Sequence, residues 1–208
     1  MIDHLSNIPK EKIRNILSEC EQDSCPFNKI KVLSSGTLSN PYEAAVLIPL
    51  FFYQDEWNLL FTRRNQGLTD HSGQVSFPGG RTDSNDKDKE STALRETYEE
   101  IGIASKDVEI LGILPDLLTV TNFNVTPIVG VIPWPYPLRI AEIEVSRIFS
   151  IPLIWLADKN NFVIEDKYYP GKTEPVSVIY YDEYDGEVLW GVTARIVAIF
   201  IAILTMDY

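Results

Sequence analysis

Arg95-Glu96-Thr97-Tyr98-Glu99-Glu100 sets three carboxylates and a guanidinium into one short stretch. On a helix turning about 100° per residue, Glu100 lies about 40° to one side of Glu96 and Glu99 about 60° to the other, so the three share a stripe. Leu94, Tyr98 and Ile101 cluster opposite, flanked by Ala93 and Thr97, and this side is predicted to pack on a sheet while the carboxylates face away from it. Like charges about 4 Å apart repel by roughly 4 kcal/mol at an effective dielectric near 20. The glutamates therefore splay into water, bind a proton, or hold a hard cation between them. Mg²⁺ or Mn²⁺ suits oxygen ligands and shares its coordination with substrate phosphates. Spacing alone favours the solvated acidic face.

The turn upstream changes that balance. Phe77-Pro78-Gly79-Gly80 lets backbone approach whatever lies beside the helix, and a glycine carbonyl there offers a neutral oxygen ligand. A Gly-Gly loop is weak by itself, since a tight strand-ending turn has the same composition. Loop, polar excursion (Arg81 to Lys89) and glutamate cluster together are far more specific.

The elements that must position these groups are readable in outline. Pro9 to Cys20 has apolar residues at helical spacing, and the turn-like segment after it makes the first 35 residues an N-terminal helical arm ahead of a domain over 36–208. Ala44 to Tyr53 is a continuous apolar run suited to a central strand, and Trp57 to Thr62 returns as its hairpin partner. Gln74 to Phe77 is a short strand. The helix Glu90 to Ile101 is closed by Gly102. Val108 to Leu114, Val125 to Ile132 and Val176 to Tyr181 are strands, Glu144 to Phe149 is strand or helix start, and a last helix begins near Val192. Strands interrupted by one helix and closed by another imply an α/β fold, a mixed β-sheet between helices in a single domain.

Composition narrows the function. Thirty acidic against eighteen basic residues give a formal charge of −12, the wrong field for nucleic acid, though bound cations can reverse the sign of a small phosphate site. Cys20 and Cys25 are too few for a disulfide framework and are expected as free thiols. The apolar run Ile196 to Leu204 is too short to cross a bilayer, so no membrane partner is expected; it suits a buried or dimer-facing helix, leaving a homodimer open. A cytoplasmic protein is expected.

Arg95-Glu96-Thr97-Tyr98-Glu99-Glu100-Ile101-Gly102-Ile103 resembles the second half of the Nudix box, with Thr97 in place of an aliphatic residue. In the first half, Gly80 lies one residue too far from Arg95, and the position of the first glutamate holds Lys87, between Asp86 and Asp88. That longer spacing is similar to the coenzyme A pyrophosphatase branch, whose upstream signature is matched by Arg64, His71, Gly73 and Phe77-Pro78-Gly79-Gly80; a second arginine of the signature is Thr69 here. Asn124 to Gly130, Glu144-Val145 and Trp190 to Arg195 also resemble this branch, so the likeness runs from about Tyr42 to Ile203.

The resemblance implies a Nudix-type α/β/α sandwich. It also implies a pyrophosphohydrolase in which Glu96, Glu99 and Glu100, with the Gly79 carbonyl, bind Mg²⁺ or Mn²⁺. Arg95 would orient the glutamates, and Glu144, with Glu142 second, would take the proton of the attacking water unless Glu100 or another helix glutamate does. Arg64, His71 and Gly80 would meet the substrate, while Trp190 and Arg195 would serve packing of the last helix. The substrate implied is CoA or a thioester of it, cut to 3′,5′-ADP and 4′-phosphopantetheine or its acyl form. Because of Thr69, another nucleoside diphosphate derivative (ADP-ribose, a dinucleotide, a nucleoside triphosphate) stays open. A non-catalytic nucleotide-binding module is the third alternative, opposed by the intact glutamates.

Overall fold

Strand β1 (Tyr42–Tyr53) is buried on both faces, which explains its unbroken apolar run. Ala44, Ile48 and Leu50 enter the main core, while Ala45 and Leu47 point the other way, against Ala93 and Ile128. The computed structural model describes residues 2–20, 40–67, 73–169 and 174–206. Gln54 and Asp55, both at positive φ, turn the chain into β2 (Glu56–Arg64), which pairs antiparallel with β1.

The sheet grows on both sides of this hairpin. The two-residue β3 (Val75–Ser76) pairs with β2, and β4 (Gly79–Arg81) lies antiparallel to the first half of β1. Helix α2 (Lys89–Ile101) follows. Asp88 caps it, accepting from the Ser91 amide while the Ser91 hydroxyl accepts from the Asp88 amide, and Gly102 ends it at φ +77°. Strands β5 (Glu109–Ile113) and β6 (Leu117–Leu118) both pair with β7 (Phe123–Val131), which runs parallel to β1. The segment left undecided by its periodicity is β8 (Val145–Pro152), antiparallel to β2. The result is a mixed eight-stranded sheet.

α2 covers one face. The other is covered by α1 (Lys10–Glu19) and α4 (Gly191–Leu204), joined by the short α3 (Leu153–Ala157). A separate hairpin, β9 (Phe162–Lys167) with β10 (Val176–Tyr181), stands beside α4. The alternation of Val176 to Tyr181 was readable; β9, exposed along most of its length, carries no apolar pattern that could reveal it.

Three expectations change. Over its described residues the N-terminal segment is not set apart from the domain: Leu5, Ile8, Ile13 and Leu17 lie in the main core, and the Trp57 indole donates to the Ile8 carbonyl at 2.8 Å. Residues 21–35 of that segment lie outside the described residues. Cys20 is disulfide-bonded, not a free thiol. The third concerns α2. Its inward stripe is Ala93, Thr97, Glu100 and Ile101, with Tyr98 left 60% exposed. Ala93 and Thr97 are small, and the Thr97 hydroxyl is satisfied by the Ala93 carbonyl at 2.6 Å, so the helix settles close to the sheet and takes Glu100 under with it. The three carboxylates thus do not share one open face.

Among the described residues no helix is long and apolar enough to cross a membrane.

Candidate active site

Two glycines create the floor. A Cβ on Gly79, at φ +156°, would lie 2.4 Å from the Ala45 carbonyl oxygen, because β4 is pressed onto β1. A Cβ on Gly80 would lie 2.5 Å from the carboxyl carbon of Glu96. The Ala45 carbonyl is backbone and cannot give way, so Gly79 lets β4 lie against β1; the Glu96 carboxyl is a side-chain end, and a side chain at Gly80 would push it out of its place beside Arg95.

The carboxylates are graded in burial. Glu99 is 55% exposed along its side chain, Glu96 17%, and Glu100 only 3% exposed as a whole residue. Burial pushes the Glu100 carboxyl up to about 8; the charges of Glu96 and Glu144 add to the rise, while Arg64 and a backbone hydrogen bond from Gly79 oppose it. Glu96 is also raised, by burial first and by Glu99 and Glu144 after it, against the pull of Arg95. Glu100 Oε2 is buried with no hydrogen-bond partner, and so is Arg64 Nε.

Arg95 is held on all sides. Its Nε and Nη2 donate to the two oxygens of Asp86, each at 2.9 Å, and Nη2 also donates to the Arg81 carbonyl. Nη1 reaches Glu96 at 2.8 Å and Glu99 at 3.0 Å. The bidentate guanidinium holds the Asp86 carboxyl far below the usual carboxylate range, so this pair stays ionised. Asp86 therefore anchors Arg95 from within the lengthened loop. It was the residue most easily missed, since Lys87 occupies the aligned position; Lys87 is exposed, and Asp88 is spent on capping α2. Asp86→Ala is expected to leave Arg95 free to swing and to lower kcat about 10- to 100-fold, with a weaker metal dependence curve; steady-state rates across a Mg²⁺ series measure both.

Glu144 sits in the turn before β8, and this turn is clamped. The Asn65 amide donates to the Glu144 carbonyl at 2.8 Å, the Asn65 side chain to the Glu142 carbonyl at 2.7 Å, and the Ala141 amide to the Glu100 carbonyl at 2.9 Å. The clamp thus ties the turn to β2 and to the end of α2.

These groups line one cleft of about 630 Å³. Arg64, Gly79, Gly80, Glu96, Glu100 and Glu144 all contribute to it, whereas Glu99, Arg95 and Glu142 stand outside its lining. His71, with Thr69 beside it, lies outside the described residues. Trp190 and Arg195, expected to serve packing of the last helix, both line the cleft.

The side chains themselves show what ion would suit this place. Among the described residues no three carboxylate, histidine or cysteine side chains converge on one point, because Glu99 turns to Arg95. What remains is the pair Glu96 and Glu100, with an orphaned buried oxygen on the latter and the backbone of Gly79 beside it. A cation that accepts one or two carboxylates and completes its shell with water and substrate phosphate, as Mg²⁺ does, fits such a donor set.

Residues 41–150 match the NUDIX domain family. The chain belongs to the Nudix family. Nudix hydrolases named NudL and described as uncharacterized, from Salmonella newport and Salmonella enteritidis, are each 41% identical to this Nudix protein over 157 residues, covering 76% of it and 80% of their own length. Among solved structures, a Caenorhabditis elegans Ap4A hydrolase in a binary complex aligns at TM-score 0.46 and 20% identity, covering 53% of this chain and 80% of that one. The RenU Nudix hydrolase of Mycobacterium smegmatis aligns at 0.48 and 16%, covering 57% and 74%. The chain is a pyrophosphohydrolase of the Nudix type, an enzyme class that acts on nucleoside diphosphate derivatives and generally requires divalent metal ions.

Proposed function

We propose that this Nudix hydrolase cleaves the diphosphate of coenzyme A or its thioesters, with Mg²⁺ or Mn²⁺ held by Glu96 and Glu100 and by the Gly79 carbonyl. The observation that carries the substrate is the run from Arg64 through Phe77-Pro78-Gly79-Gly80, which resembles the coenzyme A branch; of its described residues, Arg64, Gln74 to Phe77, Gly79 and Gly80 line the same cleft as Glu100. A divalent cation bound there supplies neutralisation of the diphosphate and a water of lowered pKa.

The chain's own residues do the rest. Arg64, whose Nε lacks a partner and whose charge reaches Glu100, grips diphosphate oxygens as a planar fork. Arg95, fixed by Asp86, holds Glu96 in its orientation. Glu144 accepts the proton as water adds to phosphorus. The P–O bond to the bridging oxygen breaks, and that oxygen leaves on the departing phosphate. One water is consumed, giving 3′,5′-ADP and 4′-phosphopantetheine, or its acyl form from a thioester. Apolar residues such as Val46, Val125, Val178 and Ile196 line the same cleft and suit the uncharged parts of such a substrate.

Incubation of the purified protein with CoA and either metal, followed by separation of products, tests the proposal. The two named products are expected; intact CoA with both metals rejects the substrate. A panel of ADP-ribose, dinucleotides and nucleoside triphosphates ranked by kcat/KM then identifies the alternative.

A further inference from the structure

In a chain where acids outnumber bases by thirty to eighteen, an unpaired arginine in a cleft is out of place. Arg195 is one. It sits in the first turns of α4, half-buried, on the wall of the cleft opposite in origin to the Gly-Gly floor. Among the described residues no carboxylate or carbonyl gives it a hydrogen bond or ion pair. Burial alone holds its guanidinium below the usual arginine range, with no carboxylate of the active site contributing. Arg64 differs: its charge is felt at Glu100, so it belongs to the metal end. Partial desolvation of a cation with no counter-charge is costly, and a permanent site of that kind is relieved when an anion enters.

The wall that carries Arg195 is fixed relative to the glutamates. The Thr193 hydroxyl donates to the Val75 carbonyl at 3.1 Å, tying the start of α4 to β3, and β3 leads directly into Phe77-Pro78-Gly79. Trp190, at the helix start, is stacked parallel on Tyr180 at 5.8 Å. The helix turn that carries Arg195 is thus tied to the strand that leads into the metal end, and both line one cleft, as a contact for a second charged group of the same ligand requires.

We infer that Arg195 forms a second anion subsite, which takes a phosphate of the substrate lying outside the scissile diphosphate. The inference rests on the proposed coenzyme A reading, since CoA carries one such group, the 3′-phosphate of its ribose, whereas ADP-ribose and simple dinucleotides carry none.

Binding separates this from the reading it rests on. Adenosine 3′,5′-bisphosphate and 5′-AMP are titrated calorimetrically into the wild type and into Arg195→Gln, in the presence of Mg²⁺. The wild type is expected to bind the bisphosphate about tenfold or more tightly than AMP. Arg195→Gln is expected to lose that preference while its AMP affinity stays the same, which also shows the cleft to be intact. No preference in the wild type overturns the inference without recourse to any variant. A preference that survives Arg195→Gln, or an equal loss for both ligands, overturns it as well. Failure to turn over CoA, by contrast, rejects the proposed substrate and does not alter these binding outcomes.

Discussion

Glu100→Gln is expected to lower metal-dependent turnover by about a thousandfold, equivalent to ~4 kcal/mol of transition-state stabilisation, while the protein stays folded. The carboxylate is almost fully buried, its Oε2 has no partner, and it feels the charges of Glu96, one turn earlier on α2, and of Glu144. Glutamine has the same shape and removes the charge. Turnover close to that of the wild type would remove the central mechanism.

The same substitution has a second, independent signature. Burial pushes Glu100 up to about 8 from the ordinary 4.5, so between those values the folded protein binds a proton that the unfolded chain has released. Stability from this group is complete below pH 4.5 and is lost as pH rises through about 8. Metal-free wild type should therefore melt at falling temperature across that window. Glu100→Gln, which mimics the protonated acid, should lose that part of the slope and gain on the order of 3 kcal/mol relative to the wild type at the alkaline end. Saturating Mg²⁺ should flatten the wild-type slope, because the cation replaces the proton. Thermal melts at several pH values, with and without metal, read all three effects; identical slopes for the two proteins contradict the assigned burial of the charge.

Glu144→Gln is the other large effect, about 100- to 10,000-fold on kcat, with little change in metal affinity. The turn that presents Glu144 is clamped to Asn65 and to the end of α2, so the amide should occupy the same place without the capacity to take a proton. The expected pattern separates it from Glu100, whose loss also weakens metal binding. A fall in kcat of less than about tenfold assigns the proton to another carboxylate.

What could be read from the residues depended on how local the cause was. The bounds of α2 are short-range chemistry and were legible within a residue: Gly102 marks the stop, and the start read at Glu90 falls at Lys89, where the unread cap of Asp88 with Ser91 sets it. β1 and its hairpin followed from one apolar run and one turn. The helix wheel failed at Tyr98 because it assumed a symmetric apolar face, whereas the small residues Ala93 and Thr97 set the docking and buried Glu100 instead. Arg195 was assigned to helix packing because nothing in its neighbourhood along the chain reveals that β3 and α4 meet through Thr193 and Val75. Asp86 was hidden by the aligned Lys87: a loop one residue longer moves the acid that meets Arg95 by one position, and only the folded loop shows which carboxylate arrives. The terminal helix, by contrast, was evident from its apolar length, and the structure gives it the second role of walling the cleft.

The most direct test of the central claim is a Mn²⁺ titration of the wild type, Glu96→Gln and Glu100→Gln followed by electron paramagnetic resonance. The wild type should take up Mn²⁺ at a site that either substitution weakens about tenfold or more, with Arg195→Gln leaving it unchanged. Equal Mn²⁺ binding by all four proteins would contradict a metal site at Glu96 and Glu100.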